Sequence, residues 1–136
     1  MSETFELEIA TPERLLVREQ VVSAQVPAEN GYLGVLPGHA PLFAQLGIGS
    51  LSYVSQSQKQ TAVLVSQGFI EVRDNHVRVL ADNAEMASEI NLAAAEQALT
   101  EANAKLAHPD PEANPEAALI AWRNAAARVD TAKTSS

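Results

Sequence analysis

The chain has 136 residues, 46% of them hydrophobic but only 4% aromatic, and carries a formal net charge of −8. That length fits one domain with at most a small appendage, and the acidic balance argues against a nucleic-acid phosphate binder. No cysteine is present, which rules out a disulfide framework and a thiolate metal site.

With so few aromatics the core must be built from Val, Leu, Ile and Ala. No apolar run reaches the roughly 18 residues of a membrane-spanning helix. The opening Met1-Ser2-Glu3-Thr4-Phe5-Glu6 has neither a basic n-region nor an apolar h-region, so no signal peptide is expected.

Residues 3 to 82 alternate with period 2. Phe5, Leu7 and Ile9 interleave with Thr4, Glu6 and Glu8, the pattern of a half-buried strand, and Pro12 ends it. Leu15 to Val26 continues in the same style, and Glu29-Asn30-Gly31 supplies a turn. From Gly31 to Pro41, Gly31, Gly34, Gly38, Pro37, Pro41 and His39 sit among apolar residues. Such a segment specifies a backbone path with tight turns and bulges, beyond a mere sheet face. Ile48 to Ser55 and Thr61 to Ser66 flank a polar turn. Phe69 to Arg73 and His76 to Leu80 flank Asp74-Asn75, a hairpin connection. Short strands with frequent turns predict an antiparallel β-sandwich or flattened barrel.

After Asp82 the period changes. Leu92, Ala95, Leu99, Ala102 and Leu106 define one narrow helical face, with Asn91 as N-cap. Prolines 109, 111 and 115 interrupt the segment His108–Pro115. Asn114 as N-cap and Pro115 at the first helical position restart a helix, whose face runs Ala118, Trp122, Ala125, Val129 and Ala132. The expected organisation is a β-sandwich over 1–86 and a C-terminal antiparallel α-helical hairpin over 87–136. Alanine fills half of the facing positions. At about 25 cal/mol per Å² of buried apolar surface such a seam contributes little, while alanine favours the helix itself. Helices of this kind form readily and dock weakly; on the residues alone a permanently docked hairpin is the first expectation and a hairpin that changes position the second.

No constellation amounts to an active site. His39, His76 and His108 fall in three different elements without HxH or HExxH spacing, so no metal site is expected. No serine lies in a GxSxG elbow. Gly47-Ile48-Gly49-Ser50 lacks the lysine of a phosphate loop and reads as a turn entering a strand. Asp74 opens a turn, Asp82 marks the end of the sheet, and Trp122 lies on the apolar stripe as a core anchor. Arg123, Arg128 and Lys133 on the second helix, with Lys105 on the first, form either a solvated face or a basic strip for an acidic partner.

The segment Gly31-Tyr32-Leu33-Gly34-Val35-Leu36-Pro37-Gly38-His39-Ala40-Pro41-Leu42 follows Thr11-Pro12-Glu13 and Val26-Pro27-Ala28-Glu29-Asn30. It precedes Gln67-Gly68-Phe69-Ile70-Glu71-Val72 and Val77-Arg78-Val79-Leu80-Ala81-Asp82. With these motifs in order and a helical tail after them, the whole chain closely resembles the epsilon subunits of F-type ATP synthases. The resemblance implies a non-catalytic rotor subunit, without a cofactor, whose sandwich binds the gamma subunit and sits on the c-subunit ring. Its tail would reach the catalytic alpha and beta subunits and restrain ATP hydrolysis.

Carried across, Gly38, His39, Ala40, Pro41 and Leu42 lie at the gamma contact, and Glu29, Asn30, Gly31 and Tyr32 face the c ring. Arg123, Arg128 and Lys133 meet the catalytic subunits. Some bacterial members bind ATP through I/L-D-x-x-R-A at the start of the first tail helix. Here that segment is Ile90-Asn91-Leu92-Ala93-Ala94-Ala95, and without the aspartate and the guanidinium no nucleotide binding is expected. The implied location is the cytoplasmic face of the plasma membrane, ahead of the thylakoid, with membrane attachment only through the complex. Two other readings compete. One is a small-ligand-binding β-domain with its pocket under the Gly-rich loop and the hairpin as lid. The other is a hydrolase built on His39, for which no paired nucleophile is visible.

Overall fold

Alternation of apolar and polar residues produces strands β1 (Phe5–Ala10), β2 (Leu15–Ala28), β3 (Gly31–Val35), β4 (Leu42–Ser55), β5 (Gln60–Arg73) and β6 (His76–Met86) in a computed structural model that describes residues 3–134. Sheet order is β1-β6-β5-β4-β2-β3, and β1 also pairs with β2, which closes the sheet into a flattened barrel. Every pairing is antiparallel except that of β1 with β6. The first half of β2 pairs with β1 and its second half with β3, which is left as an edge. Inward positions Phe5, Leu7, Ile9, Val21, Val26, Leu51, Val63, Val65, Ile70, Val77 and Val79 are fully buried and form one core. Asp74 and Asn75, at φ 51° and 57°, make the two-residue turn that sets Arg73 opposite His76.

Two expectations fail at the same level of the sheet. Asp82 does not end it, since β6 continues to Met86, and Gly47–Ser50 is no turn but the middle of β4. The ladders skip Gly47, Gln67 and Asp82 together: Leu46 faces Gly68 and Ile48 faces Ser66, while Ser66 faces Asn83 and Gly68 faces Ala81. This is a crease running across three strands. It needs a positive φ at Gln67 (59°) and Gly68 (124°), and a Cβ on Gly68 would collide with the carbonyl of Leu80. A crease shifts the alternation without ending the strand, so it imitates a boundary.

A short 3-10 turn, Ala87–Glu89, leads to α1 (Leu92–Ala107) and α2 (Pro115–Thr134). Asn91 Oδ1 accepts the Ala94 N–H at 3.0 Å, and Asn114 Oδ1 accepts the Glu116 N–H at 2.9 Å, with Pro115 opening α2. Leu64, Ile90, Ala95 and Val129 make a second apolar cluster between hairpin and sheet. Leu92 and Leu106 stay exposed, so α1 contributes Ala95, Ala102 and the half-buried Leu99 to the seam. Trp122 is only half-buried; it ties the helices together by donating to Asn103 Oδ1 at 2.7 Å, and is not a core anchor. Thr131, which the apolar stripe misses, is completely buried because its hydroxyl returns to the Ala127 carbonyl at 2.7 Å. Among the described residues no helix is long and apolar enough to cross a membrane.

Candidate partner interface

The Gly-rich segment is held at both ends. Gly31, at φ 127°, opens β3 opposite Ala28, and the Glu29 N–H donates to Gln45 O at 2.9 Å. Tyr32 lies 59% exposed, yet its hydroxyl accepts the Ser50 N–H at 3.2 Å. Gly49 makes that reach possible, because a Cβ there would lie 2.8 Å from the Tyr32 hydroxyl. After β3 the chain turns through Pro37-Gly38, with Gly38 at φ 82° and the His39 N–H donating to Leu36 O at 3.1 Å. The Gly38 N–H donates to Asn75 Oδ1 at 2.7 Å, which pins the turn to the β5–β6 hairpin. His39 Nδ1 lies 2.7 Å from its neighbour's carbonyl, Ala40 O, an acceptor only, so Nδ1 carries the proton and Nε2 is left for a partner.

Sequence reasoning missed an apolar patch beside this turn. Phe43, 66% exposed, stacks on Phe69, 44% exposed, with ring centroids 5.4 Å apart. Leu80 is directly opposite Phe69 across the β5–β6 ladder and equally open. These residues occupy the polar phase of their strands, and a large side chain out of phase was the available signal. One open cleft of about 460 Å³ is lined by all of Glu29–Tyr32 and by Leu42 and Phe43, so of the predicted gamma-contact residues Leu42 alone shares it with the predicted c-ring loop. A larger cleft, about 720 Å³, separates Tyr32 and Ile48 from Leu119, Ile120 and Arg123 of α2.

The three basic tail residues are not equivalent. Arg123 and Lys133 are exposed. Arg128 is engaged: its Nε and Nη2 donate to Glu85 Oε1 and Oε2 at 2.9 and 3.1 Å, a bidentate pair between α2 and β6 that raises the arginine pKa further. A second pair, Arg14 Nη1 and Nη2 to Glu89 at 2.9 and 2.8 Å, fastens the 3-10 turn to the β1–β2 connection. The Arg14 hydrogen bond, followed by the Met86 N–H, holds the Glu89 carboxyl down at about 2. At the start of α1 the Asn91 side chain is taken up by capping, and Ala94 has no group for a phosphate.

Residues 4–87 match the sequence family described as ATP synthase, Delta/Epsilon chain, beta-sandwich domain. The chain belongs to this family. The epsilon chain of Solibacter usitatus is 52% identical over 97% of this chain and 98% of its own length. That of Syntrophomonas wolfei is 40% identical over 93% and 92%. Among solved structures, a chain of the Euglena gracilis mitochondrial ATP synthase OSCP/F1/c-ring assembly superposes with TM-score 0.81 at 28% identity, covering 96% of this chain and 81% of that one. A chain of the Tetrahymena thermophila central stalk and c-ring shares the fold at TM-score 0.54 and 12% identity, over 98% and 96%.

The sandwich followed by a two-helix hairpin is therefore the ATP synthase epsilon fold. The chain is an epsilon-type subunit of ATP synthase, peripheral to the membrane complex, and the ligand-binding β-domain reading is not favoured.

Proposed function

We propose that this epsilon chain is a non-catalytic link of the rotor, joining the gamma subunit to the c ring so that proton flow is coupled to ATP synthesis. The observation that supports it most is the Pro37-Gly38-His39 turn, pinned by Asn75, beside the exposed Phe43–Phe69–Leu80 patch. A rigid polar turn next to an uncovered apolar surface is the composition of a binding platform. Gamma takes Gly38–Leu42 with the aromatic pair, and the c ring takes the tip Glu29–Tyr32. Sandwich 1–86 carries these contacts, and hairpin 87–136 regulates.

The tail restrains ATP hydrolysis by leaving the sandwich for the catalytic subunits, where Arg123, Arg128 and Lys133 meet acidic groups. Arg128 must first give up Glu85. The chain works at the cytoplasmic face of the plasma membrane, held there through the complex. It binds neither nucleotide nor nucleic acid.

Affinity purification of the tagged full chain tests this reading. Gamma and c subunits co-purify with the wild-type chain, and Phe43→Ser with Phe69→Ser loses gamma while keeping the wild-type circular dichroism spectrum. Retention of gamma by that folded double variant removes the platform from the proposal.

A further inference from the structure

The one parallel pairing in the barrel brings together three side chains that no spacing rule connects. Strand β1 faces β6 with Glu6 opposite His76 and Glu8 opposite Arg78. Leu7 and Ile9 point into the core, so Glu6 and Glu8 share the outer face. The start of the pairing is fixed by the Glu6 N–H donating to Asn75 O at 3.0 Å. The imidazole of His76 thereby lies between two carboxylates, with Nε2 3.4 Å from Glu6 Oε1 and 3.4 Å from Glu8 Oε1.

Two features separate this cluster from an ordinary surface ion pair. Nε2 is sealed from solvent and has no hydrogen-bond partner, although the outer edge of the ring is open. A buried nitrogen with two acceptors in view and a bond to neither calls for an explanation, and an ion between them is one. The spacing points the same way. Donor and acceptor sit beyond the ~2.7–3.2 Å of an N–H···O bond. Tetrahedral zinc, with bonds of about 2.0–2.1 Å, sets its ligands about 3.4 Å apart. The three ligand atoms all lie within 4.8 Å of one another, a gap that rotation of the carboxylate ends closes.

We propose that Glu6, Glu8 and His76 bind a divalent transition-metal ion, zinc fitting best, with its fourth position open to water. One imidazole and two carboxylates are a borderline-to-hard donor set suited to zinc and its neighbours. The ion ties β1 to β6 at the seam that closes the barrel. Arg18 Nε stands 3.8 Å from Glu6 and Arg78 Nε 3.9 Å from Glu8, on exposed arms. These cations oppose the metal without occupying its place, and they keep its affinity modest. The inference does not depend on the rotor function.

Calorimetric titration of the full chain with zinc chloride near neutral pH tests it, with cobalt(II) as the spectroscopic probe. Zinc saturates at one equivalent and raises the melting temperature, and cobalt gives the visible absorption of a four-coordinate site. His76→Gln and Glu8→Gln each weaken binding by about tenfold or more. Removing Arg18 and Arg78 together, as Gln, tightens it. The double variant His39→Gln, His108→Gln keeps the full stoichiometry, because those imidazoles lie in other elements. Metal-free melting of each variant shows that the fold is intact. Absence of saturable binding, or binding that survives both His76→Gln and Glu8→Gln, overturns the proposal.

Discussion

Asn75 serves two elements with one side chain. Its φ of 57° closes the β5–β6 turn, and its Oδ1 holds the Gly38 N–H at 2.7 Å. Asn75→Gly keeps the turn, because glycine accepts positive φ, but removes the acceptor. Stability should fall by only about 0.5–1.5 kcal/mol, while amide exchange at Gly38 speeds up and gamma affinity drops. Hydrogen exchange followed by NMR separates this loosening from general unfolding. His39→Ala, which removes the free Nε2, should weaken gamma binding by about 1–3 kcal/mol without changing exchange at Gly38. Gly68→Ala is a harsher change, since it places a Cβ against the Leu80 carbonyl at a φ of 124°. Chemical denaturation should show a loss of about 2–4 kcal/mol. His39 stood out in the sequence because it interrupts an apolar run. Asn75 read only as a turn residue, since nothing periodic connects it to a position 37 residues away.

Among the elements, those written by local physics were legible and those fixed by distant pairs were not. Strand phases follow period 2, and both helix starts follow their asparagine caps, Asn91 and Asn114. The crease at Gly47, Gln67 and Asp82 imitates strand ends, so β4 and β6 are longer than alternation suggests. The pairs Arg14–Glu89 and Arg128–Glu85 join residues 75 and 43 positions apart, and the meeting of Glu6 and Glu8 with His76 depends on a parallel strand pairing. Glu89 illustrates what such a pair does. Its folded-state pKa of about 2 is below the ordinary 4.5, so its contribution is present in full above 4.5 and is lost as pH falls toward 2. Glu89→Gln should therefore destabilise the chain at neutral pH and flatten the acid limb of its stability profile between those values. Acid unfolding curves of the two proteins would converge toward pH 2; parallel curves would remove the pair from the account.

At the scale of the molecule the question is where the hairpin spends its time. The sandwich has its own core, separate from the small Leu64–Ile90–Ala95–Val129 cluster beneath the helices. A chain ending at residue 86 should accordingly keep a cooperative melt, and Leu64 is a buried apolar side chain it would newly expose. The docked position rests on that thin seam and on Arg128–Glu85, whose side chains are each 34% exposed. A bidentate pair so open to solvent contributes about 1 kcal/mol, which is enough to move a two-state population about fivefold. Arg128 would serve in both positions, held by Glu85 when docked and by acidic groups of the catalytic subunits when extended, whereas Glu85 serves only the docked one. The two substitutions should therefore act differently on ATP hydrolysis in the assembled complex, and only one of them should lower it. Glu85→Gln weakens docking alone, so the tail is extended more of the time and hydrolysis falls below wild type. Arg128→Ala weakens both positions, so hydrolysis is unchanged or higher, approaching that of the complex lacking residues 87–136. Adding salt to the wild-type complex screens both contacts and should not reproduce the effect of Glu85→Gln. Equal hydrolysis rates for Glu85→Gln and wild type, in complexes of equal subunit content, would show that this pair does not govern the tail.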